Sequence, residues 1–401
     1  MTRDRAPETR GLRIAISAFA SPVGGGRRHL LRILPRMFEL GREHAFTAFI
    51  NPDLEHEFRS RPYPNVSWRT VGFDGLDTKK RLVWENTLYP LLLLRGGFDV
   101  VFCNANLSHF LGGTPRVIVI HNSQPFYHEL FAEETARSQR RLRLLDWASH
   151  HFMRRAAGTV FLSQRGRADA LRGTNIVPRD EIVVYNGVDQ DFGGQPHPEA
   201  RRDAGARYGA PNGYVLYVSH IFRYKRFESL LYAWGRIPPA ILAGRRLLIA
   251  GEPHDPTYAA ELSEKVRELG LADAVRFLGG LPITELSVLH AGADVVAFMS
   301  VCENCPISVL EALASGRPIL LSNRSATPEL GGDAALYADP DRPDEVASQL
   351  QRLLTDNSLA NDLGNRARAR AASFTWDKSA GGILELIERV GERSRSHRRR
   401  P

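Results

Sequence analysis

Short apolar runs rich in β-branched and aromatic residues recur along almost the whole chain, and segments of helical length lie between many of them. Because these runs are apolar nearly throughout, they are typical of parallel strands covered on both faces. The sequence therefore predicts an α/β protein with doubly wound parallel sheets. The predicted strands are Leu12–Ala18, Ala45–Ile50, Val66–Val71, Phe98–Phe102, Arg116–His121, Thr159–Leu162, Glu181–Tyr185, Tyr214–Ser219, Arg246–Ala250, Val275–Leu278, Asp294–Met299, Pro318–Leu321 and Ala335–Tyr337. The long helices are predicted at Arg28–Leu40, Lys79–Leu94 and Glu133–Arg155.

The chain has 401 residues, whereas one ordinary domain has about 100–200. We expect a Rossmann-like N-terminal domain over 1–190, a second such domain over 191–375, and a C-terminal helix with a basic tail over 376–401 that returns toward the first domain. The stretch Asp191–Asn212 is rich in Gly, Pro, Ala and charge, as in a linker. Ligands of open α/β sheets bind beyond the carboxyl ends of the strands, so motifs that follow a strand matter most.

Composition narrows the class of protein. No apolar run reaches the ~18–20 residues of a membrane span, and the N-terminus lacks the apolar segment of a signal peptide. Three cysteines are too few for a disulfide framework and indicate a reducing, cytoplasmic compartment. Cys302 and Cys305 form a CxxC without a second pair at zinc-ribbon spacing, so no metal is expected.

The net charge of +8 favours anionic ligands or an anionic membrane face. No nucleic-acid-binding module is recognisable, so nucleic acid is not an expected partner. The helix Glu133–Arg155 either lies on anionic lipid or is a solvated outer helix. Its arginines are Arg137, Arg140, Arg141, Arg143, Arg154 and Arg155. The tail Arg393–Arg400 is expected to be disordered, as a solubilising end or a weak membrane tether.

Two features of the first half follow predicted strands. Gly24, Gly25 and Gly26 open a helix, where the backbone can approach an anion and free N–H groups point outward. A tight turn without a ligand fits equally well, and the spacing is not the GxGxxG of a nicotinamide site. His121 ends the apolar run RVIVIH, where it either bonds a ligand hydroxyl or is a rim histidine with a local partner.

A basic loop opens the second domain. It contains Arg223, Lys225 and Arg226 between a predicted strand and a helix that begins near Phe227. Cations at the carboxyl end of a strand and beside a helix N-terminus suit a diphosphate, including one that leaves during a reaction. A solvated basic loop is the alternative.

Two carboxylates flank a third strand–helix junction. Glu303 lies in the loop after the strand, and Glu311 lies eight positions later within a helix that Pro306 begins and Gly316 ends. Both can contact one elongated ligand with paired hydroxyls, with the helix N–H groups between them. Alternatively, Glu303 is exposed and Glu311 is an ordinary polar helix position.

Taken in order, these segments resemble glycosyltransferase family 4, whose members are retaining enzymes of the GT-B architecture. Glu303 and Glu311 match the E-x7-E motif of the family, and Asn186–Asp189 matches its NGVD segment. Thr327–Ala347 is similar to the usual continuation of its donor domain, and Trp84–Asn106 is similar to the core of its acceptor domain. The resemblance implies two Rossmann-like doubly wound domains that face a cleft. It also implies transfer of a hexosyl group from a nucleotide-diphosphate sugar to a hydroxyl of a glycan, lipid-linked or small-molecule acceptor.

The resemblance also implies roles for individual residues. Glu303 would bind donor-sugar hydroxyls near the anomeric carbon, Glu311 the ribose hydroxyls, and Lys225 the diphosphate. His121 would contact the donor sugar, and Gly24–Gly26 the phosphates or the acceptor. The residues expected to line the donor are Asn304, Cys305, Pro306, Ile307 and Ser308. Members of the family usually need no metal.

Two positions depart from the family pattern. His220 stands where the family often has an arginine, and Arg223 is expected to supply the missing positive charge. Asn304–Pro306 replaces a glycine-rich segment, which removes backbone freedom. The alternative functions are a GT-B epimerase or phosphorylase, a nicotinamide oxidoreductase, and a catalytically silent nucleotide-sugar-binding protein.

Overall fold

The computed structural model describes residues 11–19, 24–59, 62–73, 77–194 and 198–398. The chain divides into two compact units. The first comprises residues 1–128, 135–185 and 376–401, and the second comprises 129–134 and 186–375. The chain thus passes to the second unit a few residues before the expected boundary at 190.

The first unit has a seven-stranded, wholly parallel sheet in the order β3-β2-β1-β4-β5-β6-β7. The inner strands are buried along nearly their whole length because helices cover both faces. The strands are β1 Arg13–Ser17, β2 Ala45–Ile50, β3 Val66–Thr70, β4 Val100–Cys103, β5 Arg116–Ile120, β6 Gly158–Phe161 and β7 Glu181–Val183. The helices are α1 Gly24–Leu40, α2 Pro52–Arg59, α3 Thr78–Asn86, α4 Leu88–Gly96, α5 Ala136–Arg155 and α6 Gln164–Leu171.

The second unit has a six-stranded parallel sheet in the order β10-β9-β8-β11-β12-β13. Its strands are β8 Tyr214–Val218, β9 Arg246–Ala250, β10 Val275–Gly279, β11 Val295–Phe298, β12 Ile319–Ser322 and β13 Leu336–Ala338. Its helices are α7 Pro198–Arg207, α8 Phe227–Trp234, α9 Pro239–Leu242, α10 Pro256–Glu268, α11 Ile283–Gly292, α12 Ile307–Ser315, α13 Thr327–Gly331, α14 Pro343–Thr355 and α15 Asn357–Ala371. All thirteen predicted strands are confirmed, and both sheets are doubly wound as expected.

Three local predictions are wrong. Lys79–Leu94 is two helices, because Pro90 has no N–H for the carbonyl four residues earlier and the chain turns at Thr87. The hydroxyl of Thr87 instead donates to the Val83 carbonyl at 2.7 Å. The expected linker Asp191–Asn212 contains α7, which packs on α11.

The basic tail is also helical as far as the structure describes it. The helix α16, Trp376–Arg398, packs on α1 and on β4 to β7 of the first unit. Its last turns do not fray because Arg395 pairs with Asp99 at 2.8 Å, and Arg398 donates to the Phe98 carbonyl at 3.1 Å. Residues 399–401 lie outside the described part of the chain.

The buried histidine His44 joins α16 to the start of β1 in the first sheet. The Nδ1 of His44 accepts the Leu12 N–H at 3.1 Å, so its Nε2 carries the proton and donates to Glu388 at 2.9 Å. Glu43 is also close enough to complete a three-residue metal set. Since neither ring nitrogen has a spare lone pair in this arrangement, the group acts as a hydrogen-bonded brace.

Within the described residues, no helix is both long and apolar enough to cross a lipid bilayer.

The packing of α16 predicts a large cost for truncating Leu386. This side chain is fully buried against Gly158 of β6, so Leu386→Ala leaves a cavity. We expect the first unit to lose about 2–5 kcal/mol of unfolding free energy in urea titrations. Val177→Ala, at an apolar side chain that is 87% exposed, is the matched control and should change little. Equal midpoints for the two variants would contradict the role of α16.

Candidate active site

Lys225 and Glu303 form a buried ion pair in the second unit, beyond the carboxyl ends of β8 and β11. Their exposed fractions are 8% and 9%. The ammonium group of Lys225 also lies 5.1 Å from the ring centre of Tyr224 and 5.2 Å from that of Phe298. Charges that are buried this far persist only when paired, so the sequence-predicted cation and carboxylate meet at one point.

The backbone around Lys225 is held by a buried tyrosine. Tyr217 of β8 donates its hydroxyl to the Lys225 carbonyl at 2.5 Å and accepts the Met299 N–H at 3.3 Å. One hydroxyl therefore ties the loop after β8 to the end of β11. Burial raises the pKa of Tyr217, with Glu303 as a second contribution, so the hydroxyl stays protonated.

The helix α12 follows directly from the loop that carries Glu303. It begins at Ile307 with Pro306 as its N-cap and ends at Gly316, which has the left-handed φ of 64°. Its first turn can present free N–H groups to an anion. Glu311 lies within α12 and is 1% exposed. The described structure thus places both carboxylates of the E-x7-E pair in buried surroundings and excludes the exposed alternative for Glu303.

Cys305 forms part of the wall of this region. The backbone N–H of Asn186 donates to its sulphur at 3.3 Å, and the Asn186 amide donates to its carbonyl at 2.7 Å. Burial raises the pKa of the Cys305 thiol to about 12. Cys302 is also buried. The NGVD segment therefore fixes the loop before α12, and the thiol is protonated and unreactive.

His220 and Arg223 are each held by groups outside the basic loop. Arg223 is bound through both guanidinium branches to Glu261, at 2.7 and 2.8 Å, and stacks over Tyr258. Burial and His254 lower the pKa of His220, whose Nδ1 accepts the Glu252 N–H at 3.3 Å. His220 is thus neutral, and Arg223 would have to exchange its carboxylate partner before it could bind a phosphate.

In the first unit, two histidines share one asparagine oxygen. The Nε2 of His121 and the Nδ1 of His29 each lie 2.9 Å from the Asn104 Oδ1, and their rings meet edge to face at 4.6 Å. The Asn104 amide donates to the Gly26 carbonyl at 3.0 Å, which orients its oxygen toward both rings. Each imidazole must therefore donate, and the Nδ1 of His121 is left as an acceptor for a ligand hydroxyl.

Burial keeps both imidazoles neutral. It lowers the pKa of His29 to about 4 and that of His121 well below its usual value, with the neighbouring His29 as a second cause. His121 also has a fixed backbone, because Asn106 accepts its N–H at 2.8 Å. The predicted strand-end histidine is thus an oriented neutral acceptor.

The glycine segment begins α1. Gly24 has a φ of 71°, and a side chain at Gly24 or Gly25 would meet no atom of the described residues within 4 Å. Gly26 is tied to the histidine pair through Asn104. His29, Asn104 and Asn106 were not among the predicted site residues. Their signal in the sequence is the position of Asn104 and Asn106 within three residues of the end of β4, at the edge where ligands bind.

Comparison with known proteins identifies the family of this chain. The family model described as Glycosyltransferase Family 4 matches residues 23–192, and that described as Glycosyl transferases group 1 matches residues 206–370. The D-inositol 3-phosphate glycosyltransferase of Salinispora arenicola is 31% identical over 423 residues, which cover 96% of this chain and 93% of that protein. The chain belongs to glycosyltransferase family 4. It is a glycosyltransferase, as the resemblance implied.

Two further comparisons extend this result. The O-antigen chain mannosyltransferase B of Escherichia coli is 28% identical over 245 residues, or 59% of this chain, and the match spans 62% of that protein. An Anabaena structure, HepE in complex with UDP-glucose, has a TM-score of 0.70 at 18% identity and covers 96% of this chain and 100% of that one. The fold is therefore GT-B.

The neutral histidines predict how the first unit responds to acid. His29 has a lower pKa folded than unfolded, so the unfolded chain takes up more protons below about pH 6.5 and stability falls with pH. We expect His29 to contribute a loss of about 3 kcal/mol as the pH falls from about 7 to 4. In urea titrations, His29→Gln should be less stable at neutral pH but show a shallower decline. An unchanged slope would show that His29 has the same pKa in the folded and the unfolded chain, which would contradict its burial as a neutral group.

Proposed function

We propose that this glycosyltransferase transfers a hexosyl group from a nucleotide-diphosphate sugar to an acceptor hydroxyl with retention of anomeric configuration. The observation that carries the proposal is the buried Lys225–Glu303 pair beside the first turn of α12. It joins a cation for a diphosphate to a carboxylate for sugar hydroxyls. The donor named with HepE, UDP-glucose, belongs to this chemical class.

Donor binding would exchange partners within the pair. A diphosphate oxygen replaces Glu303 at the Lys225 ammonium, and the Glu303 carboxylate then accepts hydroxyls of the sugar. Glu311 accepts the ribose hydroxyls, and the N–H groups at the start of α12 contact the phosphates. Each group keeps a hydrogen-bond partner at both stages, which fits the depth at which both lie.

In the proposed reaction, the enzyme stabilises the negative charge of the leaving diphosphate. The bond between the anomeric carbon and the diphosphate oxygen breaks, and Lys225 and the α12 N–H groups stabilise the growing negative charge. The acceptor oxygen bonds to the anomeric carbon from the same face, and its proton passes to a donor phosphate oxygen. The Nδ1 of His121 would accept a sugar hydroxyl. The residues supply this charge stabilisation themselves, so we propose that no metal is needed.

Variants at the ion pair test this function. Glu303→Gln should keep the fold and bind the nucleoside diphosphate but lose turnover by about 100-fold or more, since the lost contacts matter most in the transition state. Lys225→Ala should instead abolish diphosphate binding in calorimetry. Arg236→Ala, which removes an exposed ion pair with Asp344, is the control. Near-normal turnover by Glu303→Gln would contradict the role of the carboxylate.

The same assay separates the alternatives. Proton NMR of the product identifies the anomer, and inversion would overturn the retaining assignment. Epimerised donor, or sugar release that requires inorganic phosphate and no acceptor, would indicate an epimerase or phosphorylase. Binding without any turnover would indicate a silent nucleotide-sugar-binding protein.

We also propose that the protein works in the cytoplasm at an anionic membrane face, through an exposed apolar surface of the first unit. This α4–α5 surface consists of Leu91 and Leu94 of α4, Phe110 and Leu111, and Leu144 and Trp147 of α5, all exposed. Within it the rings of Phe110 and Trp147 stack at 6.4 Å, and Asn86 at the end of α3 accepts the Phe110 N–H at 2.8 Å.

Charge indicates which partner covers the α4–α5 surface. Arg137 and Arg140 of α5 are exposed and lie at helical spacing from Leu144 and Trp147. An exposed aromatic and aliphatic face flanked by arginines is typical of a helix that lies in the interface of an anionic bilayer. A lipid-linked acceptor would then be presented in the same plane.

Vesicle binding tests the membrane proposal. The protein should float with vesicles that contain phosphatidylglycerol and not with phosphatidylcholine alone. Leu144→Ser/Trp147→Ser and Arg137→Glu/Arg140→Glu should each weaken binding by at least about tenfold. Val177→Ser, at an exposed apolar side chain outside the α4–α5 surface, is the control. A protein that ignores anionic vesicles, or that covers this surface with a second copy in sedimentation, would contradict the proposal.

A further inference from the structure

Arg226, next to Lys225, has an unusual backbone conformation. Its φ and ψ are 52° and 45°, in the left-handed region that non-glycine residues seldom occupy. Among the described residues only Ala243 and Ser325 also have a positive φ without being glycine. Arg226 both ends the short 3-10 helix Arg223–Lys225 and is the N-cap of α8. A strained residue at such a junction needs contacts that hold it there.

The guanidinium group of Arg226 has those contacts. Both of its terminal nitrogens bind the carboxylate of Glu133 at 2.5 Å, and its Nε lies 3.4 Å from Asp341. The side chain is only 12% exposed. The bond to Glu133 raises the pKa of Arg226 further, so the group is always charged. A planar guanidinium held in two places fixes orientation as well as distance.

Glu133 lies in a short segment that the chain contributes to the second unit. Residues 129–134 belong to the second unit, although the chain on either side belongs to the first. Phe131 of this segment is buried. The bond between Glu133 and Arg226 ties this segment to the residue next to Lys225.

We infer that Arg226 is a positioning residue, locked by Glu133, that holds the Lys225 ammonium where the diphosphate of the donor must bind. The inference rests on the function proposed above for Lys225. The guanidinium of Arg226 is itself bound by the carboxylates of Glu133 and Asp341. The segment 129–134 therefore helps to position the lysine that would bind the diphosphate.

Two substitutions separate the parts of this lock. Arg226→Gly keeps a residue suited to the left-handed backbone but removes the guanidinium, and Glu133→Gln removes the partner charge. Each should raise the Kd for a UDP-sugar, or for whichever nucleotide sugar binds the wild type, by about tenfold. Their double variant should be no weaker than either single one. The kcat should change much less than the KM.

Two control variants match the two features of the site. Ala243→Gly relieves another left-handed residue, and Arg245→Ala removes another arginine–carboxylate pair, with Asp294 at 2.9 Å. Neither should alter the donor Kd. Donor binding by Arg226→Gly at the wild-type Kd, or additive losses in the double variant, would overturn the inference.

Hydrogen exchange tests the lock without any donor. Both Arg226→Gly and Glu133→Gln should speed amide exchange in residues 129–134 and in residues 222–230 together. Faster exchange confined to the substituted segment would overturn the inference. If the wild type bound no nucleotide sugar while both segments still responded together, the proposed function would fail and the lock would stand.

Discussion

The buried pair of Lys225 and Glu303 sets the conditions for everything around it. Two charges removed from water must find each other, and their geometry must be held by other contacts. Tyr217 holds the backbone on one side and the rings of Tyr224 and Phe298 enclose the ammonium. A pair of this kind contributes little net stability.

The two units meet the cost of burying polar groups in opposite ways. The second unit keeps its groups charged and pairs them, whereas the first keeps His29 and His121 neutral and joins them through Asn104. A neutral, oriented imidazole accepts a hydroxyl without competing for the phosphate. In the proposed function, the charge that stabilises the leaving group comes from Lys225 of the second unit.

The sequence was sufficient for the strands and for the identity of the central residues, because buried parallel strands leave long apolar runs and Lys225 and Glu303 lie directly after them. It did not reveal which charges pair. Arg223 was expected to bind phosphate, yet its partner Glu261 is 38 residues away, and only the fold brings them together. The pairing of Arg395 with Asp99 likewise makes a helix of a tail that composition alone predicted to be disordered. The sequence alone therefore does not show which arginines are held by a carboxylate far away along the chain.

The basic loop after β8 finally shows why its cations are not equivalent. Arg223 and Arg226 each bind one carboxylate through two nitrogens. Exchange of either carboxylate would break two hydrogen bonds and lose a fixed orientation of the guanidinium. Lys225 between them has a single compact ammonium, which in the proposed donor exchange would pass from a carboxylate to a phosphate. The forked side chains of Arg223 and Arg226 would then hold the loop in shape. The left-handed backbone at Arg226 is the strain that this arrangement carries.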